Sequence, residues 1–204
     1  SKDRTAAIVA ELVAGHPNRR AIYHPSNQGR GATVAEGFRA ARGRIVGFLD
    51  IDLEVHCSFL PAVLAAIDAG ADGAIAFREY SPGLNPLAIQ RGFLSRGYRW
   101  LFRQLFDVPF RDPETGFKFF VRERILPVAC RTQDVGWFWD SEILILAHQA
   151  GLRVVEVKGR FVRRLDKPST VRIVRDVWRY LVSIHAFRRR QRRERWLGLD
   201  GAKR

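Results

Sequence analysis

Three acids at alternate positions, Asp50, Asp52 and Glu54, close the stretch "GFLDIDLEV" (47–55), directly after an apolar run from Ile45 to Leu49. In extended backbone, alternate side chains share a face, so the three carboxylates would point together. Carboxylates gathered without a cation repel and raise one another's pKa values. A hard divalent cation such as Mg2+ or Mn2+ relieves the repulsion through oxygen ligands. The competing reading is a solvated turn whose acids cap the next helix, because an Asp-x-Asp pair is common by chance. A second constellation is basic. Arg91 and Ser95 stand one helical turn apart, and Arg78 ends the strand that follows the acids. Two guanidinium groups and a hydroxyl can grip a phosphate by charge-assisted hydrogen bonds; a solvated basic face would look the same.

The elements that must position these groups follow from periodicity. Helical spacing covers residues 3–14 through Ala7, Ile8 and Leu12, then residues 32–41 and 59–69. Short strands are expected at 21–23, 45–49 and 73–77. The turn "NQGRG" (27–31) offers Asn27, Gly29 and Gly31, and glycine permits a close backbone approach to a ligand; an ordinary strand–helix turn has the same composition. This alternation predicts βαβ units and a mainly parallel, Rossmann-like α/β sheet flanked by helices. Ligands of such sheets sit outside the carboxyl ends of the strands, where Asp50 and Asp52 lie.

Beyond residue 78, "EYSPGLNP" (79–86) reads as a loop and residues 89–105 as a long helix. "RDPETGFKFF" (111–120) is a turn running into a strand. A helix at 141–149 and a strand at 153–157 follow. Pro168 and Ser169 then open an amphipathic helix with Val174, Val177, Trp178, Leu181 and His185 on one stripe.

The chain has 204 residues, 47% of them hydrophobic, which suits one folded α/β domain. Its two cysteines form no CxxC and no disulfide framework, so a reducing compartment is expected. No apolar run approaches the roughly 18–20 residues of a membrane span. The chain starts at Ser1 and has no Met, which predicts an incomplete chain. The net charge of +14 is uneven, since residues 158–204 hold sixteen Lys/Arg against four Asp/Glu. Such a segment calls for an anionic partner.

The stretch "NQGRGATVAEGFRAARGRIVGFLDIDLEV", with "DPETGFKFF", "WFWDSEILILAHQAGLRVVEVKGRFVRR" and the Pro-Ser helix, resembles the family 2 glycosyltransferases of the GT-A fold over residues 1–185. The nearest likeness is to the dolichyl- or polyprenyl-phosphate mannose and glucose synthases. These move a hexose from a nucleotide-sugar, of the GDP-mannose or UDP-glucose type, to a lipid phosphate. "SKDRT" (1–5) is similar to the tail of the family's D-D-G-S-x-D-x-T motif, which implies that the first strand and those acids precede Ser1. The resemblance makes Asp50 and Asp52 the metal and diphosphate pair, with Glu54 a possible third ligand. It places Asn27, Gly29, Gly31 and Arg164 on the donor, with Arg163 the lesser candidate beside Arg164. Arg78, Arg91 and Ser95 fall on the acceptor phosphate, and Asp112, Thr115 and Gly116 on the active-site wall. Asp140 and Glu142 lie where many inverting members keep a catalytic acid; two acids in a first helical turn are also favoured by the macrodipole.

A lipid-phosphate acceptor would not need a base. A phosphate monoester is already an anionic nucleophile at neutral pH, whereas a sugar hydroxyl must lose a proton. From Arg188 the chain reads "RRRQRRERW". With the preceding apolar stripe and Trp178, Tyr180, Phe187 and Trp196, this suits a helix lying on an anionic membrane. A nucleic-acid backbone or plain solvent are the alternatives; no zinc, RNP or helix-turn-helix pattern is present, and no nucleic acid is expected. The expected organisation is a catalytic domain over 1–165 and an amphipathic membrane-surface segment over 166–204. The expected protein is peripheral to the cytoplasmic membrane face, or anchored by a segment outside this chain. A saccharide or small soluble acceptor, and a non-enzymatic binding module, are the rival functions.

Overall fold

The computed structural model describes residues 3–52, 55–79, 97, 102–160 and 173–197. In chain order the elements are α1 (Thr5–Val13), α2 (Arg30–Ala40), β1 (Ile45–Leu49), a 3-10 turn (Cys57–Phe59), α3 (Leu60–Asp68), β2 (Gly73–Glu79), β3 (Phe117–Val121), α4 (Arg122–Ala129), α5 (Trp139–Gln149), β4 (Val154–Arg160) and α6 (Ile173–Trp196). Residues 97 and 102–106 are helical, overlapping the helix expected over 89–105 and running one residue past its end. Glu54, Arg91, Ser95, Arg163, Arg164, Pro168 and Ser169 lie outside the described residues.

Among the described residues four strands pair in the order β1-β3-β2-β4. β1, β2 and β4 run in one direction; β3 lies between β1 and β2 and runs against both. The mainly parallel expectation therefore holds in strand direction, although only the β2–β4 ladder is parallel. The exception has a local cause. β3 leaves the turn at 111–116 beside the carboxyl end of β1, so it can only run back against β1, pairing Phe117 with Leu49. The expected strand at Ala21–Tyr23 does not form. A strand needs a neighbour for its N–H and C=O groups, and among the described residues this segment has no ladder partner. It is tied down instead by Arg20, which donates to Ala40 O at 2.8 Å.

Alternation along the strands splits the core between the two faces. Ala74, Ala76 and Phe117 pack with Val63 and Ile67 of α3 on one face. Val46, Ile75 and Phe120 pack with Phe38 of α2, Ile125 of α4, Trp139 and Ile143 of α5, and Ile184 and Phe187 of α6 on the other. Two glycines make room for the large β3 rings. A Cβ on Gly47 would lie 2.2 Å from the Phe119 ring, and one on Gly73 2.4 Å from Phe120.

The described members of the apolar stripe expected on the last helix face outward. Val177, Trp178 and Leu181 are exposed, Trp178 by 68%, and His185 is exposed too. The inward stripe is Ile184 and Phe187, both buried, with Tyr180 partly buried beside them, so Tyr180 and Phe187, expected at a membrane interface, pack on the core instead. No helix among the described residues is long and apolar enough to cross a membrane.

The turn before β3 is held by Glu156 of β4, one of whose oxygens accepts from Arg111 N at 2.6 Å and Asp112 N at 3.2 Å. Burial pushes this carboxyl above the ordinary glutamate value, against the pull of those two N–H groups. The folded state thus keeps the proton to a higher pH than the unfolded chain does. The contribution of this group to stability accordingly falls as pH rises from the ordinary glutamate value through the raised one. Glu156→Gln keeps an acceptor oxygen and removes the charge, so it should flatten that decline. Urea midpoints taken near pH 4 and pH 7 test this, and a variant displaced equally at both would count against it.

Candidate active site

The carboxyl ends of β1, β2 and β4 lie along one edge of the sheet, because these strands run together. Asp50 follows β1 at this edge, and its N–H donates to Gly116 O at 2.8 Å. The contact is close: a Cβ on Gly116 would fall 1.8 Å from Asp50 Oδ2. Glycine here is a requirement of packing, and it seats the carboxylate against the wall turn. The N-termini of α2 and α5 bring Arg30 and Asp140 to the same place. Arg78, near the end of β2, stands opposite Gly159 at the same edge.

Arg30 organises the centre. Its Nη2 donates to Asp50 Oδ1 at 2.6 Å, and its Nη1 donates to Asp140 Oδ2. The guanidinium also lies 5.1 Å from the centre of the Phe48 ring and 5.4 Å from that of Trp137, within cation–π range. Lys118 reaches Asp140 from the sheet. Its Nζ donates to Asp140 Oδ1 at 3.1 Å and to Thr115 O, and its side chain is fully buried. Burial lowers the Lys118 ammonium from its ordinary range, with the Asp140 charge pulling it back. Burial likewise raises the Asp140 carboxyl, against Lys118 and Arg30. Two cations therefore hold one buried carboxylate, while Asp50 stays 41% exposed at the surface of the cluster.

Beside the cluster opens a cleft of about 430 Å³. Asn27, Gly29, Arg30, Phe48, Asp50 and Trp137 are among the residues lining it. Asn27 Oδ1 accepts from Gly29 N at 2.8 Å, which sets the turn into α2. Gly29 has φ +90, and a Cβ there would meet Val135 O at 2.2 Å. Gly31 is buried, donates to Val135 O at 2.9 Å, and abuts Trp139. The structure thus brings Asn27, Gly29, Asp50 and Asp140 together. Gly31 does not line the cleft, and its glycine is explained by the close pass of residues 134–139.

Asp52 sits half-buried in the turn after Asp50. Among the described residues no three acidic, histidine or cysteine side chains form a metal cage. Asp112 and Thr115 are buried in the wall turn, and Thr115 Oγ1 has no hydrogen-bond partner. Glu142 follows Asp140 in the first turn of α5. It does not line the cleft; its carboxylate accepts from Gln133 N at 3.1 Å, from Asp134 N at 2.8 Å and from Arg190 of α6. An acid so fully engaged positions the 132–137 segment.

Sequence reasoning missed Arg30, Lys118 and Trp137. Lys118 carried a signal, since a lysine inside the apolar run "FKFF" must find a partner if that strand is buried. Arg30 sat between the two noted glycines. Nothing in the sequence placed it against Asp140, 110 residues away.

The model of the family described as glycosyl transferase family 2 matches residues 1–124. The chain is 32% identical over 171 residues to glycosyltransferase AglD of Haloferax volcanii, covering 83% of this chain and 27% of that protein. It is 29% identical over 167 residues to dolichyl-phosphate beta-glucosyltransferase ALG5C of Trichomonas vaginalis, covering 77% of this chain and 49% of that one. The chain thus spans between about a quarter and a half of the length of these curated relatives. In fold it is similar to glucosyl-3-phosphoglycerate synthase of Mycobacterium tuberculosis, solved with Mn2+ and uridine-diphosphate-glucose. That likeness has a TM-score of 0.61 at 17% identity, over 90% of this chain and 64% of that one.

Proposed function

Because the chain belongs to glycosyl transferase family 2, we propose that it catalyses inverting, metal-dependent transfer of a hexose from a nucleotide-sugar to a polyprenyl or dolichyl phosphate at the cytoplasmic membrane face. The observation that carries the reading is the Asp50–Arg30–Asp140–Lys118 cluster beside an open cleft, at the carboxyl end of the first strand. The dolichyl-phosphate glucosyltransferase among the relatives supports a lipid-phosphate acceptor.

Asp50 and Asp52 fit a hard divalent cation. They offer oxygen donors only, and Asp50 faces the cleft on a glycine cradle that any side chain would fill. Mg2+ or Mn2+ suits that donor set. When bound, it stabilises the charge that develops on the departing nucleoside diphosphate. Arg30 adds a fixed positive charge beside Asp50, and Asp140 with Lys118 holds Arg30 in place. Asn27 and Gly29 present the turn along which the donor lies. Arg78, Arg91 and Ser95 grip the acceptor phosphate and Arg164 the donor phosphate. The acceptor arrives already anionic, so the protein has chiefly to align it. The deciding assay offers the full-length protein a panel of nucleotide-sugars, with and without polyprenyl phosphate. Transfer that ignores the lipid phosphate rules out this acceptor class.

The membrane partner is supported by α6, whose exposed side carries Val177, Trp178 and Leu181 followed by Arg189, Arg192, Arg193 and Arg195. Arg190 is set apart by its bond to Glu142. Changing Arg188, Arg189, Arg192, Arg193 and Arg195 to Gln, with Arg190 kept, should release the protein from anionic vesicles. Each such charge contributes roughly 1 kcal/mol near an anionic surface. The attraction should weaken as salt rises, while transfer to a detergent-solubilised acceptor stays near wild type. Equal sedimentation of both proteins with vesicles would rule the basic face out as the anchor.

A further inference from the structure

Trp137 is a large aromatic ring left 61% exposed on the wall of the cleft. Its position is built rather than incidental. Glu142 takes the N–H groups of Gln133 and Asp134, Asp134 Oδ1 takes Gly136 N at 2.7 Å, and Val135 O takes Gly31 N. The short segment that carries the indole is therefore pinned to α5 at one end and to α2 in its middle. Arg30 lies between the Phe48 and Trp137 rings and touches Asp50 and Asp140 beneath them. One indole face meets a guanidinium, and much of the ring is left bare over the cleft.

A bare aromatic surface next to a cluster of acids and cations matches one part of a nucleotide-sugar better than the others. A pyranose has hydroxyls around its rim and C–H groups on its faces. It can cover an indole with a face while its rim reaches polar groups. The hexose is bonded directly to the diphosphate, whereas the base is separated from it by the ribose. Trp137 stands one guanidinium away from Asp50, the carboxylate assigned to the metal and diphosphate. We propose that Trp137 is the surface against which the transferred hexose stacks, making it a determinant of donor recognition; this rests on the nucleotide-sugar reading above.

The test compares binding of UDP-glucose with UDP, and of GDP-mannose with GDP, to the full-length wild type, Trp137→Ala and Trp137→Phe. Calorimetry in the presence of Mn2+ gives the four affinities, and thermal unfolding checks that the exposed substitution leaves the fold alone. For the preferred donor, Trp137→Ala should lose about tenfold in affinity for the nucleotide-sugar relative to its nucleoside diphosphate, and Trp137→Phe should keep most of it. Equal losses for sugar and diphosphate forms overturn the inference, because the ring would then serve the nucleotide. So does an unchanged ratio with a raised acceptor KM, which assigns the ring to the acceptor. If the wild type binds none of these donors, the underlying reading falls and the inference falls with it. Wild-type transfer with an unaltered ratio in Trp137→Ala removes the inference alone.

Discussion

Asp52→Ala is expected to lower sugar transfer by about 100- to 1,000-fold, with the unfolding midpoint close to wild type. Removing one group that stabilises developing charge commonly costs about 3–4 kcal/mol of barrier. Asp52 follows Asp50 at the carboxyl end of β1, where the charge of the leaving diphosphate is proposed to develop. It lies in a half-buried turn outside the core clusters, so its removal opens no packed core. EDTA should inhibit the wild type, and added Mg2+ or Mn2+ should restore it. The variant should respond weakly to either. Near-normal activity in Asp52→Ala, or transfer indifferent to EDTA, would end the metal role.

Asp140→Ala should be the most damaging single change to stability among the site residues. It removes the carboxylate that the fully buried Lys118 bonds to and strips Arg30 of one of its two carboxylate partners. Breaking a buried pair from one side typically costs about 3–5 kcal/mol, since the remaining charge is uncompensated. Part of that loss is avoidable, because burial already draws the Lys118 ammonium down and a neutral amine is tolerated better. Adding Lys118→Met should recover much of the stability but not the transfer, because Arg30 remains unsupported. Urea unfolding of the two single variants and the double variant measures the coupling. A loss below about 1 kcal/mol in Asp140→Ala, or simple additivity in the double variant, would contradict a charge-coupled pair.

The strand ending in Asp50, the glycine turn before α2 and the wall turn before β3 were all legible, because each is a local pattern. Alternation, glycine placement and the apolar run at 45–49 act over a few residues, and the chain obeys them. What local patterns could not give lies where distant segments decide. Ala21–Tyr23 has strand-like residues but no neighbouring ladder. The stripe from Val177 to His185 has the right period, yet helical periodicity does not say which of two apolar sides meets the core. Tyr180 and Phe187 won that place through contacts with Phe106 and Phe138. Glu142 has partners 9 and 48 residues away, which no local pattern announces. The ionic centre itself was unreadable, since Arg30, Lys118 and Asp140 meet only when α2, β3 and α5 close around one point.

The fastening of α6 to the first turn of α5 bears on where this chain could be cut. Tyr180 and Ser141 share a hydrogen bond of 2.6 Å, Phe187 packs on Phe138, and Arg190 neutralises Glu142. A boundary drawn just before residue 173 would look natural in the sequence, separating a compact fold from a basic helix. In three dimensions it would uncover two phenylalanines of the main core and leave the Glu142 carboxylate without its counter-ion. The basic helix is thus a keystone of the folded body, and a minimal fragment has to retain it at least through Arg190.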